Sequence, residues 1–132
     1  MTFNELLKNY NDIRYQIKRC ISRQQELREL YSYPRRPVSE IHTTSKGDTM
    51  LNYVDKLAEL EQEQVQLENT LFCIRNDIEQ VLNNIADYNA RRIVELRIFY
   101  DNRKPTWTKI GGKIGYSGDH VRRIFRESIK II

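Results

Sequence analysis

Proline, glycine and cysteine are scarce in this chain: three prolines, five glycines and two cysteines in 132 residues. All eight prolines and glycines fall within 34–47 and 105–118, which leaves the rest of the sequence free to form helix and predicts an all-α fold. Cys20 and Cys73 stand alone, without a Cys or His at metal-ligand spacing. They predict neither a metal site nor a disulfide, and read as small buried or half-buried residues in a reducing compartment. No stretch approaches the roughly 18 to 20 apolar residues that a bilayer requires, and MTFNELLKNYND lacks the basic-then-apolar order of a signal peptide. The expectation is a cytoplasmic protein with no membrane partner. Paired carboxylates on a concave element, a nucleophile beside a base and a phosphate-cradling glycine loop are all missing, so no enzyme, catalytic residue or cofactor is expected. The length suits one modest core or two small helical units.

Charge is present but segregated. Residues 1–47 carry nine Lys or Arg and five Asp or Glu, a net of +4; residues 48–88 carry two and nine, a net of −7; residues 89–132 carry eleven and four, a net of +7. The local basic excess in the last third suits phosphate contact, whatever the whole-chain total of +4.

Two heptad runs fill the first two thirds. Phe3, Leu6, Tyr10, Ile13, Ile17, Cys20, Gln24, Leu27 and Tyr31 recur at alternating steps of three and four, as do Met50, Tyr53, Leu57, Leu60, Gln64, Leu67, Leu71, Ile74, Ile78, Val81, Ile85 and Tyr88. They predict two long helices, over about 3–31 and 48–89, forming a coiled-coil hairpin as a first domain, 1–89. The basic first helix and acidic second favour antiparallel packing. Each seam has one polar break, Gln24 and Gln64, and an isolated break predicts that Gln64→Leu raises thermal stability while broadening the oligomer distribution. Leu51, Ala58, Val65 and Phe72 form a further apolar row, read first as a widening of the core, whose surplus points to a homodimer through the heptad helices. Between the runs, the linker 32–47 holds Pro34, Pro37 and a Ser/Thr-rich half; its Arg35, Arg36 and His42 read first as parts of a solvated loop, with phosphate contact or base stacking by Arg35 and Arg36, beside Tyr31 and Tyr33, as the alternative.

The last third, 90–132, reads as a helix-turn-helix domain. Residues 91–104 predict a helix ended by Asp101 and Asn102, with Ile93, Leu96, Ile98, Phe99 and Tyr100 packing beneath the two helices after it. In PTWTKIGGKIGYSGDHVRRIFRES, Trp107, Ile110 and Ile114 share one face of a short helix, Gly111 permits a close approach, and Gly115 ends the helix in a left-handed conformation. Gly112 has no such reason. Ser117 caps a second helix to about Ile129, Asp119 suits its dipole, and Val121, Ile124 and Phe125 form its apolar stripe. Arg122, Arg123 and Arg126 fall off that stripe, where a major-groove reader carries its donors. Arg103, Lys104, Lys109, Lys113 and Lys130 surround this helix as expected phosphate contacts.

RRIVELRIFYDNRKPTWTKIGGKIGYSGDHVRRIFRESIK resembles region 4 of bacterial sigma factors, where an arginine-rich helix ends in a tyrosine, a short loop comes next and a helix-turn-helix closes the domain. The order of helix, proline-containing linker, long acidic helix and sigma-like domain is similar to phage late-gene transcriptional activators of the RinA and ArpU type. The resemblance implies a phage or prophage activator working on double-stranded DNA in the bacterial cytoplasm, with RNA polymerase as a further partner. It carries DNA-reading roles onto Ser117, His120, Arg122, Arg123 and Arg126. The paired glycines 111 and 112, and Gly118 at the start of the recognition helix, depart from the usual pattern. The alternative is a helical packaging or assembly adaptor, like a small terminase subunit, gripping DNA with little sequence preference.

Overall fold

A computed structural model describes the backbone of residues 1–32 and 46–132, and the side chains of 1–30 and 51–132. Five α-helices succeed one another: α1 (Phe3–Ser32), α2 (Lys46–Leu82), α3 (Tyr88–Ile98), α4 (Trp107–Ile114) and α5 (Gly118–Ile131). Strands are absent among the described residues, so the fold is all-α. The central part of the expected linker, with its arginines and His42, lies outside the described residues.

Thr2 starts α1 with a reciprocal cap. The Glu5 amide donates to Thr2 Oγ1 at 3.2 Å and the Thr2 amide donates to Glu5 Oε2 at 3.1 Å, so two otherwise orphaned donors are satisfied at once.

α2 is long, 37 residues or roughly 55 Å at 1.5 Å per residue, but it stops at Leu82 and not at the expected Asn89. The Asn84 and Ile85 amides bond back three residues, to Val81 and Leu82, which tightens and closes the helix at the Asn83–Asn84 pair. Asp87 then caps a new helix, its carboxylate accepting from the Ala90 amide at 3.2 Å. The heptad spacing of Val81, Ile85 and Tyr88 conceals this break because apolar periodicity continues through it. α3 consequently begins at Tyr88 and ends at Ile98, where residues 91–104 were expected.

The chain divides into two compact units, residues 10–73 and residues 1–9 with 74–132, in place of a single boundary at 89/90. In the first, α1 and α2 run antiparallel. The buried Cys20 thiol donates to Leu60 O at 3.1 Å, and Arg28 pairs with Glu61 at 3.0 Å. Cys73 is exposed, contrary to the expectation of burial, because it lies off the seam of α2.

In the second unit Ile93, Ile110 and Val121 form a closed centre, with Leu96, Trp107, Ile114, Tyr116, Ile124 and Phe125 packed against it. Each of these three buried side chains contributes about 1.5–3 kcal/mol by transfer from water. Further apolar side chains of the unit, among them Phe3, Leu6, Ile78, Leu82, Ile85 and Val94, are also buried. Arg91 donates to Ile85 O at 3.1 Å and the Arg75 guanidinium sits 4.4 Å from the centre of the Phe99 ring, so polar groups tie the end of α2 to α3.

Candidate nucleic-acid interface

The α4–turn–α5 segment is built from three local devices. Thr106 caps α4, its hydroxyl accepting from the Lys109 amide at 3.2 Å. Gly115 ends α4 at φ 94°, and the Gly115 and Tyr116 amides both donate to Gly111 O, at 2.7 and 3.0 Å. Ser117 caps α5, accepting from the His120 amide at 3.3 Å.

The glycines explain how tightly the two helices meet. A Cβ on Gly111 would lie 2.3 Å from Tyr116 O, so it is the backbone of the turn, more than the second helix, that excludes a side chain there. A Cβ on Gly118 would sit 3.1–3.4 Å from Thr108, which accounts for the missing side chain at the start of α5. Gly112 has nothing within 4 Å, and the structure gives no packing reason for it.

A cross-helix stack fixes the orientation of α4 and α5 on α3. The Arg97 guanidinium lies 3.8 Å from the centre of the Trp107 ring and donates to Pro105 O. Trp107 in turn meets Phe125 at 5.2 Å in a tilted arrangement. Partial burial lowers the Arg97 pKa from its ordinary value, with Tyr100 acting in the opposite sense; the guanidinium stays charged at neutral pH. A second chain of contacts runs through the turn. Asn89 donates to the Tyr116 hydroxyl at 3.0 Å, and Tyr116 meets the half-buried His120 ring edge-on at 4.8 Å.

On α5, Val121 and Ser128 are buried and Ile124 and Phe125 half-buried, whereas Arg122, Arg123, Arg126 and Lys130 are exposed. At about 100° per residue, Arg123, Arg126 and Lys130 lie about 140–180° from Val121, with Arg122 at the side. None of these four forms an ion pair among the described residues. Their donors therefore remain available to a partner. Asp119 is exposed on the same side, one turn ahead of Arg122 and Arg123.

The other expected site residues divide. Ser117 is exposed and already used as a cap, although its hydroxyl proton remains free to donate. His120 is committed in part to Tyr116. Lys109 and Lys113, one turn apart and exposed on α4, line a depression with Leu96, Phe99, Asp101 and Ile110 that includes no residue of α5. Arg103 and Lys104 are exposed in the loop before α4. The cations thus form two groups, one along α5 and one along α4 and the loop before it. Sequence reasoning missed Thr106, Asn89 and Arg97. A Thr ahead of an apolar helix is a readable cap signal, whereas the other two depend on contacts across 27 and 10 positions. Among the described residues no group of three or more His, Cys, Asp or Glu is placed to hold a metal.

Comparison of the chain with family models, with curated proteins and with solved structures finds no match.

Proposed function

We propose that this protein is a sequence-specific DNA-binding transcription regulator that reads the major groove with α5. The observation that carries the reading is the capped α4–turn–α5 unit whose second helix buries Val121, Ile124 and Phe125 on one side and offers Arg122, Arg123 and Arg126 on the other. Arginine forks suit guanine edges, and Lys130, Lys109, Lys113, Arg103 and Lys104 suit phosphates. Ser117 and His120, at the start of α5, stand where recognition helices approach bases.

The resemblance to sigma region 4 and to RinA- and ArpU-type proteins supports a more particular reading: an activator of phage late genes, acting in the bacterial cytoplasm as a homodimer, with RNA polymerase as a second partner. Among the described residues no helix is long and apolar enough to cross a membrane.

The assembly-adaptor reading draws on the exposed apolar residues of α2. Selection of bound sites from a random DNA pool separates the two. Enrichment of a defined motif supports the regulator, whereas retention of DNA without enrichment supports the adaptor, and no retention at all removes both.

A further inference from the structure

The α2 helix leaves apolar surface uncovered. Leu51 and Phe72 are 60% and 64% exposed, Val54 and Val65 are exposed to about half, and Ala58 is exposed. Ala58, Val65 and Phe72 each come one position after a seam residue, Leu57, Gln64 or Leu71. They therefore lie about 100° further round the helix, and with Leu51 they form a straight row some 30 Å long. That angle is the one between two neighbours of a helix in a four-helix bundle, where each helix packs on two others. The only charged residues beside the row over Leu51–Phe72 are acidic: Asp55, Glu61 and Glu68.

The matching side of α1 carries a basic excess, Arg14, Lys18 and Arg28 against Glu29. Lys18 comes one position after the seam residue Ile17, just as Val65 comes after Gln64. Arg14, Ile21 and Arg28 lie between Lys18 and the seam at heptad spacing. Because α1 and α2 are antiparallel, a step in the same sense on each brings both rows to one side of the hairpin. The Arg28–Glu61 ion pair, half-exposed, bridges the helices on that side.

We infer that a second copy of this chain covers this side of the hairpin, with α1 of each copy lying on the α2 row of the other. A two-fold axis along the bundle alternates α1, α2, α1 and α2, so the side of α1 with a basic excess meets the acid-flanked row of α2 at both contacts. The other two-fold arrangement sets α2 on α2 and brings like charge together. The inference rests on the homodimer reading and is independent of DNA contact, so mass measured without DNA distinguishes its failure from that of the recognition helix.

The test is the mass of the full chain in solution, by sedimentation, with helicity monitored by circular dichroism. The parent should be dimeric. Val65→Lys and Lys18→Glu each place like charges together, and each should weaken association by about tenfold or more while helicity is kept, since both side chains are exposed in the single chain. An equimolar mixture of the two variants should regain the dimer, because one interface then sets the introduced carboxylate against the introduced ammonium and the other is native. A monomeric parent overturns the proposal. A Lys18→Glu variant that stays fully dimeric overturns the assignment of α1 as the covering helix, as does a mixture that remains monomeric. Should a variant lose helicity, the parent mass still decides between one copy and two.

Discussion

The side-chain amide of Gln24 donates to Oε1 of Gln64 at 2.7 Å, so the single polar break in each heptad seam is the partner of the other. Gln24 is 3% exposed, its amide also reaches Leu60 O at 3.4 Å, and Gln64 passes the chain on to Glu68 at 2.9 Å. A buried amide that finds its counterpart only in one alignment of two helices fixes their register.

This pairing reverses the sign expected for a lone polar break. Gln64→Leu now removes the best partner of a buried amide and should lower stability by about 1–3 kcal/mol. Gln24→Leu with Gln64→Leu removes both and should recover most or all of that loss, with a broader distribution of oligomers. Chemical denaturation of both variants checks this. A single variant more stable than the parent would contradict the role given to the pair.

The three glycines of α4 and its cap should separate cleanly. Gly111→Ala forces a Cβ against the Tyr116 carbonyl and should cost about 1–3 kcal/mol or more. At φ 94°, Gly115→Ala should cost about 1–2 kcal/mol. Gly112→Ala meets open space in a helix and should stabilise by about 0.5–1 kcal/mol. Thermal melts of the three variants give the order, and a neutral Gly111→Ala would refute the close approach of the turn.

Arg97 holds α4 through Trp107 and Pro105. Arg97→Ala should cost about 1–2 kcal/mol and alter the emission of the only tryptophan in the chain. Arg97→Lys keeps the charge but loses the planar stack, so it should restore stability only in part. Full recovery by lysine would mean that charge, and not stacking, is what matters there.

On DNA, the two groups of cations should behave differently. Arg123→Ala should cost about 1–3 kcal/mol against a preferred site and relax preference at one base, whereas Lys113→Ala should weaken all sequences alike. With about five to eight phosphate contacts, affinity should fall by about three to four decades between 50 and 200 mM salt. Binding titrations of a selected site and a scrambled one, each at several salt concentrations, measure both. Loss of affinity without any change in preference on replacing Arg122, Arg123 and Arg126 together would move those residues from bases to phosphates.

Much of the architecture was legible because it depends on near neighbours. Ser117, Gly115 and the Val121, Ile124, Phe125 stripe act within one or two turns, and the structure has each where its spacing placed it. The end of α2 was not legible, since Val81, Ile85 and Tyr88 keep the heptad period across a break set by Asn83, Asn84 and the Asp87 cap. Periodicity reports which residues face inward, and it is indifferent to a change of helix that preserves that facing. Gly118 departed from the expected pattern for a reason that lies ten positions away, in Thr108.

Helix content, the two seams, the basic last third and the arginine face of α5 were determined by the sequence alone, because propensity, caps and period are local properties of the chain. Pairing of Gln24 with Gln64, stacking of Arg97 on Trp107 and the bond from Asn89 to Tyr116 were decided only by the tertiary structure. Each of these joins groups from different helices, and their energies arise only once packing has excluded water and brought those helices within a few ångströms of one another.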